Sequence, residues 1–388
     1  MRIFYLAIFS VALSVAIMLL SIATLSGFKQ EIQQKISDVQ GDFIIDSGRN
    51  IESGEPFPID DVDVDSMLKI SQIPGVLRVV PSASKACIIK SRDDIEGLLA
   101  KGIDSTSRSY FKKAYRVQRE AQNINRNGCW ISEITAKRLN LDTGDLITVV
   151  FFVSDEYGKS RPRARRLGIN KIYATGIQKI DAQMILVDQS MLSVFFPDGK
   201  SYTQLEIWED RNIKNEKLRI DILSALPNAY IRLNTLQEYN RLIFDWLAIL
   251  NTNVIIILVL MALVAITGMS TTLLILIIER TSLIGLLISM GARTKDISKS
   301  FVLQALIIAV VGVLLGNLLT VVVVWGQNSF HWITLNQDIY FIPYVRLSLR
   351  WLDWMWVDLG ALIVIGVSLW LPARYIRKID LIKAITFK

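Results

Sequence analysis

The sequence predicts an α-helical membrane protein with four transmembrane helices and a large α+β domain, outside the cytosol, inserted between helices 1 and 2. Three observations predict it. Apolar residues make up 52% of the chain and charged residues only 20%, and the apolar excess is gathered into four runs. Two of these runs, residues 246–278 and 301–325, hold no charged residue at all. At ~1.5 Å rise per helical residue, each crosses a hydrocarbon core of ~30 Å. Between the first and second runs the composition becomes that of an ordinary soluble protein.

Residues 1–40 are helix 1 and its extension. Positions 3–28 are uncharged, with Arg2 on one side and Lys29, Glu31 and Lys35 on the other. A cleaved signal peptide is the competing reading, but its apolar core needs only ~7–15 residues, and no A-x-A site follows here. The run therefore reads as a membrane helix with its amino terminus inside. Beyond it, Phe28, Ile32 and Ile36 recur at four-residue spacing, which extends the helix outward as a stalk.

Residues 41–240 form the outer domain. β-rich runs at 42–46, 75–80, 85–90 and 144–153 alternate with helical patterns. Positions 131–141 read as a short amphipathic helix that enters the next strand through Thr143, Gly144 and Asp145. A stretch of roughly 200 residues can bury its own core, arranged here as two small α+β lobes. The basic run 158–167, GKSRPRARRL, is a hairpin or loop, either solvated or docked on a partner. Asp60, Asp61, Asp63 and Asp65 follow Pro56 and Pro58 and read as loop. Cys87 and Cys129 both fall in this domain. Outside the cytosol a disulfide between them is chemically allowed, and two buried free thiols in separate strands are the plainer alternative.

Residues 241–278 are a second stalk and helix 2, longer than the ~20 residues a span requires. Asn251 and Asn253 near the outer end suggest pairing with the first stalk. Residues 279–300, ERTSLIGLLISMGARTKDISKS, form a polar-edged elbow. Arg280, Arg293, Lys295 and Lys299 outnumber Glu279 and Asp296, which places the elbow in the cytosol. Its apolar middle, 283–290, is too short to span and suits a helix lying at the membrane surface or seated in a partner. Helix 3 occupies 301–326, where Gly312 and Gly316 stand at the spacing that permits close helix approach, or are simply tolerated there. An outer loop covers 327–353, and Trp332, Trp351, Trp354 and Trp356 form an aromatic belt. Helix 4 covers 354–372, with Asp358 in its outermost turn, close enough to the interface to be hydrated. Arg374, Arg377 and Lys378 hold the tail, 373–388, inside. The net charge of +7 resides in the cytosolic pieces. The chain's basicity is thus a positive-inside signature and no nucleic-acid-binding face.

Several chemistries are excluded by motif. No G-x-x-x-x-G-K-[ST] phosphate loop and no G-x-S-x-G elbow occurs. A single histidine, His331, rules out His–His metal motifs. The chain reads as a non-catalytic subunit, with no metal and no cofactor.

In their order the pieces resemble the permease subunits of the lipoprotein-releasing ABC transporters, within the wider FtsX-type and macrolide-exporter-type permease superfamily. Glu279-Arg280-Thr281, Ile284-Gly285-Leu286-Leu287 and Met290-Gly291-Ala292 resemble the family's elbow signature, with Ile288 where a lysine is usual. GFKQEI at 27–32, IFDWL at 243–247, Gly316-Asn317, PRARRL with TGIQKIDAQMILVD at 175–188, and the closing run from Pro372 also match. Leu381 and Lys383 replace a proline and a glutamate in that closing run. The resemblance implies a periplasmic location for the outer domain, within an inner-membrane protein with both termini cytosolic. It implies a coupling helix in which Glu279, Arg280, Ile284, Gly285, Leu287, Ile288, Gly291 and Ala292 meet a cytosolic ABC ATPase dimer. It further implies a second permease chain, identical or paralogous, a lipoprotein substrate, and a periplasmic lipoprotein carrier. Val11, Val15, Met18 and Ile22, at three- or four-residue spacing on helix 1, would line the acyl site, against a plain helix-packing role. Mechanotransmission of the FtsX type, and export of a small amphiphile or antibiotic, are the alternative functions of the same architecture.

Overall fold

The computed structural model describes residues 2–47, 59, 64–91, 94–104, 108–121, 128–154, 160–196, 202–210, 213, 217–226, 231–335 and 344–373. Asp60, Asp61 and Asp63, and the tail with Arg374, Arg377, Lys378, Leu381 and Lys383, lie outside the described residues. The chain divides into two compact units, one built on residues 32–244 and the other on residues 1–31, 245–335 and 344–388.

Helix α1 (Arg2–Gln40) contributes to both units. Its last turn is closed by Gly41 at φ +83°, a left-handed position that glycine adopts without steric cost. A Cβ there would come within 2.9 Å of the Ile207 carbonyl oxygen. The chain then enters β1 (Phe43–Ser47), followed by α2 (Val64–Ser71), β2 (Val76–Ser82), β3 (Ser84–Lys90), β4 (Ile95–Ile103), α3 (Arg108–Ala114), β5 (Val117–Glu120), β6 (Gly128–Ser132) and α4 (Glu133–Arg138). Next come β7 (Leu146–Ser154), β8 (Ser160–Tyr173), α5 (Gln178–Gln183), β9 (Met184–Asp188), α6 (Gln189–Ser193), β10 (Gln204–Glu209), α7 (Leu218–Ser224), β11 (Ile231–Thr235) and α8 (Leu236–Tyr239).

These strands form two sheets. The first is antiparallel, in the order β11-β1-β10-β2. Its core joins Ile45, Leu205, Ile207 and Leu233 to Ile70 of α2 and Ile222 of α7. The second runs β5-β8-β6-β9-β4-β3-β7, and β7 also pairs with β8. That extra pairing closes six strands into a ring, which removes their free edges. The ring is mixed: β4–β9 and β6–β8 are parallel, and the other pairs are antiparallel. Its core holds Phe151 stacked on Phe195 at 4.3 Å, and both Cys87 and Cys129, which are free thiols.

Two local expectations are corrected. The helix expected at 131–141 shrinks to α4, because Ile131 and Ser132 stay in β6. Ser132 is the N-cap, in extended conformation, with its hydroxyl accepting the Thr135 N–H at 3.0 Å. Asp65, expected in a loop, lies on α2. For the basic run the hairpin alternative holds over its described part. Residues 160–167 lie on β8, in register with β7 from Ser154↔Ser160 to Ile147↔Leu167.

The second unit is helical. It comprises α1 up to Glu31, α9 (Arg241–Glu279), α10 (Thr281–Ser289), α11 (Thr294–Phe330), α12 (Trp351–Ser368) and α13 (Trp370–Ala373). Four helices, residues 4–40, 241–279, 294–330 and 351–368, are long and apolar enough to cross a membrane. Helix α11 starts at Thr294, so residues 294–300 are its first turns. The Gly312/Gly316 pair is a packing seam. A Cβ on Gly312 would lie 2.8 Å from Val11, and one on Gly316 would lie 2.7 Å from the Ala12 carbonyl oxygen. At one end of the bundle, Ser348 N–H donates to the Ala23 carbonyl at 3.0 Å, and Ser26 donates to the Ser348 carbonyl. Gln327 donates to the Val345 carbonyl at 2.9 Å, and Asn328 both donates to and accepts from Leu347. The strap 344–350 is thereby laid across α1 and α11. Gly27 lies under it, where any side chain would run into the Arg346 carbonyl.

Candidate functional site

The elbow is a short helix with two apolar faces. Ile284 is fully buried and Ile288 partly so, both packed on the helical core, and Ala292 joins them from beyond the helix end. Gly285 is buried as well. On the opposite side Leu283, Leu286, Leu287 and Met290 are exposed, at spacings i, i+3, i+4 and i+7. Met290 is 77% exposed, and the four side chains form a continuous apolar stripe on the surface of the helix. Glu279 and Arg280 are exposed at the entry. Gly291 ends the helix at φ +93°. The Ala292 N–H donates to the Leu287 carbonyl and the Gly291 N–H to the Ile288 carbonyl, both at 3.0 Å, which is a Schellman closure. This explains the Met-Gly-Ala signature: the chain must reverse within one residue so that α11 can begin at Thr294.

Helices α1, α9 and α12 enclose a cleft of about 420 Å³. Met18 and Ile22 come from α1, Leu258, Val259, Ala262 and Ala265 from α9, and Trp356, Gly360, Ala361 and Val364 from α12, with Asp353 at its outer end. Val11 and Val15 are elsewhere: both are fully buried, facing Gly312 and Gly316 of α11. The structure thus separates the four apolar positions of helix 1 into a packing pair and a cleft-lining pair. Near the strap 344–350, α1 meets α9 through the Phe28–Trp246 ring contact at 6.0 Å and the Lys29–Asn251 hydrogen bond at 2.5 Å.

A polar cluster ties α11 to α12. Trp354 donates its indole N–H to Asn317 at 2.8 Å, and Asn317 donates to Asp358 at 2.7 Å. Asp358 is therefore held by a side chain of the neighbouring helix, and Trp354 is turned inward, whereas Trp332, Trp351 and Trp356 are exposed.

In the extramembrane unit the end of α1 is held by three donors. Trp208 of β10 donates to the Ser37 carbonyl at 2.8 Å, Tyr110 of α3 to Asp38 at 3.0 Å, and Lys101 of β4 to Val39 at 3.3 Å. These carbonyls belong to the last helical turn, where acceptors run out of helical partners; that of Ser37 also accepts the Gly41 N–H at 2.8 Å, and Lys101 places a cation at the negative end of the helix dipole. Lys101 forms a 2.6 Å ion pair with Glu206 of β10, and the two are 1% and 0% exposed. Burial pushes the Glu206 carboxyl above its usual range, with the Lys101 charge opposing. Asp181 is likewise raised by burial, against hydrogen bonds from Thr175 and Gly176.

Sequence reasoning marked the apolar segment 283–290, with Leu286 and Met290 in its signature, but did not separate Leu283, Leu286 and Met290 onto one exposed face. It also missed the cleft walls on α9 and α12, which no local signal reveals.

Comparison with known proteins follows the same division. A family model for the MacB-like periplasmic core domain matches residues 4–206, and one for the FtsX-like permease C-terminal region matches residues 255–381. The chain is 22% identical to the lipoprotein-releasing system transmembrane protein LolE of Haemophilus influenzae, over 95% of this chain and 91% of that one. It is 19% identical to the lipoprotein-releasing system transmembrane protein LolC of Xylella fastidiosa, over 98% and 93%. The crystal structure of the periplasmic region of MacB from Actinobacillus actinomycetemcomitans is 10% identical, covering 54% of this chain and 96% of that one at a TM-score of 0.36.

Proposed function

We propose a function from the premise that this chain belongs to the permease family that joins a MacB-like periplasmic core domain to an FtsX-like permease C-terminal region. It is a multi-pass inner-membrane permease of the ABC-transporter type. The finer reading is that it extracts lipoproteins from the outer leaflet of the inner membrane and passes them to a periplasmic carrier, driven by a separate ATPase. The observation that carries it is the apolar cleft between α1, α9 and α12, which opens within the membrane-spanning helices. A space of this size falls in the range of small-ligand sites, and burying an acyl chain contributes roughly 0.8 kcal/mol per methylene.

In this reading the domain of residues 41–240 lies in the periplasm between the first and second membrane helices. The elbow faces the cytosol, and both termini are cytosolic. The outward stripe Leu283, Leu286, Leu287 and Met290 enters a groove of the ATPase dimer, with Glu279 and Arg280 at its edge. Ile284, Gly285, Ile288 and Ala292 join the elbow to the membrane helices, and Gly291 sets its exit. Met18 and Ile22 contact the acyl chain. A second permease chain completes the transporter, and the exposed arginines of β8 are the surface offered to a carrier. Depleting the chain and following lipoproteins in the two membranes tests the reading. Retention in the inner membrane is expected; unchanged sorting overturns it.

A further inference from the structure

Helix α9 changes character once along its 39 residues. Toward the strap, residues 248–264 include no buried side chain. Toward the elbow, Ala265, Met269, Leu273, Leu276 and Ile277 are packed in the helical core. The change falls beside TGMSTT, residues 267–272, which interrupts the apolar runs 254–266 and 273–278 with a glycine and hydroxylated side chains. The Thr267 hydroxyl donates to the Leu263 and Val264 carbonyls at 2.9 and 3.1 Å, and the Thr272 hydroxyl to the Gly268 carbonyl at 2.8 Å. In the helix ladder the Leu263 and Gly268 carbonyls also accept the N–H groups of Thr267 and Thr272, so each serves two donors. Hydroxyls that bond back in this way loosen and bend a helix, and glycine holds a helix less firmly than any residue but proline.

At the same point α9 rests on α1. A Cβ on Gly268 would lie 2.6 Å from Ser10 Oγ. Toward the strap, the cleft lies between the two helices, which meet again at Phe28–Trp246 and Lys29–Asn251. The arm from Gly268 to Asn251 is about 26 Å long at 1.5 Å per residue, so a bend of about 10° at its base moves its far end by about 4.5 Å. We infer that Gly268 is a hinge seated on Ser10, about which the strap-side arm of α9 swings while the elbow-side arm stays packed in the core. The swing changes the width of the cleft and leaves α1, α11 and α12 in place. This goes beyond the permease reading and does not depend on it, since it concerns which part of the chain moves and not what is carried. A glycine present only to make room for Ser10 would leave both arms equally rigid.

The full chain, with Cys87→Ala and Cys129→Ala, is placed in nanodiscs and diluted with unlabelled chain, and distance distributions are measured between two spin labels on one chain. One pair sits at Ile255 of α9 and Val322 of α11, on the strap side, and the other at Ile278 of α9 and Leu303 of α11, on the elbow side; all four positions are exposed. The strap-side distribution is expected to be about twice as wide as the elbow-side one. Gly268→Ala with Ser10→Ala, which replaces the glycine and clears the hydroxyl its Cβ would meet, narrows the strap-side distribution to about the elbow-side width. Gly366→Ala on α12, whose Cβ would meet nothing closer than 3.8 Å, leaves it wide. Thermal unfolding confirms that each variant is folded. Equal widths in the parent chain, or an unchanged strap-side width in the folded Gly268→Ala/Ser10→Ala variant, overturns the hinge. So does equal narrowing by Gly366→Ala, because the flexibility would then not be seated at Gly268. Lipoprotein sorting plays no part in this readout, so the failure of either reading leaves the other standing.

Discussion

Replacing Lys101 by methionine should destabilise the extramembrane unit far more than replacing Lys101 and Glu206 together. Both groups are within 1% of complete burial and 2.6 Å apart. Lys101→Met leaves a buried carboxylate whose remaining donor is the Gln204 amide at 3.0 Å, and whose second oxygen has no hydrogen-bond partner among the described residues. Removing one member of such a pair costs about 3–5 kcal/mol. For a unit of this size that lowers the unfolding temperature by roughly 6–20 °C. The double variant Lys101→Met/Glu206→Leu removes both charges and keeps the volume. It forfeits the hydrogen bond to the Val39 carbonyl, worth about 1 kcal/mol. It should therefore recover at least half of the loss, a coupling of about 2 kcal/mol or more. The assay is thermal unfolding of the full chain, with hydrogen exchange of β4 and β10 reporting this unit separately. A double variant as unstable as the sum of the two single variants would refute the reasoning, because the two groups would then be energetically uncoupled.

Three further outcomes are expected. Leu286→Asp with Met290→Asp should leave membrane insertion intact and reduce co-purification of the ATPase at least 10-fold; full retention of the ATPase would move the docking face elsewhere. Burial raises the Cys87 and Cys129 thiols to about 12, so a maleimide at pH 8 should label neither in the folded chain and both after denaturation; rapid labelling of the native protein would contradict the closed ring. Burial also raises the Asp46, Asp181 and Glu206 carboxyls, so each contributes stability that is complete below about pH 4 and is lost as pH rises through its folded value. The unfolding temperature of this unit should accordingly rise as pH is lowered from neutrality toward about 4. The lowered carboxyls of Glu120, held by Lys112, and Glu238, held by the Thr235 backbone, act in the opposite sense, but chiefly below about pH 4. A steady fall over the whole range from neutrality to about pH 4 would show the sign to be wrong.

The membrane helices were legible because hydrocarbon tolerates no charge, so their uncharged runs are constrained at every position. The strands at β1, β2, β3 and β7 were legible from composition. Closure of the ring was not, since it depends on β7 pairing with β8 while β8 also pairs with β6, a matter of which edges meet in space. The Lys101–Glu206 pair joins residues 105 positions apart and leaves no local trace. Within the elbow, the sequence marked the right segment but not its sidedness. Ile284 and Ile288 belong to the inward stripe, and Leu283, Leu286 and Met290 to the outward one, a distinction that exists only once α10 has packed. Val11 and Val15 followed the same rule: their spacing said helix face, and Gly312 and Gly316 decided which neighbour that face meets.

That seam has a mechanical consequence. Helix α1 is locked to α11 by backbone-close contact, and α11 is tied to α12 through Asn317, Asp358 and Trp354. Three of the four spans therefore behave as a chassis. Helix α9 carries Ile255, Ile256, Val259, Leu260 and Leu263 on an exposed side, and joins the same core through Ala265, Met269, Leu273, Leu276 and Ile277, with Gly268 set against Ser10 of α1 and the Phe28–Trp246 and Lys29–Asn251 contacts at its other end. Its apolar stretch is the least buried of the four, and it leads within two residues into α10. In the proposed reading, a push on the elbow therefore reaches this wall of the cleft first, while Phe28, Trp246, Lys29 and Asn251 hold its other end to α1.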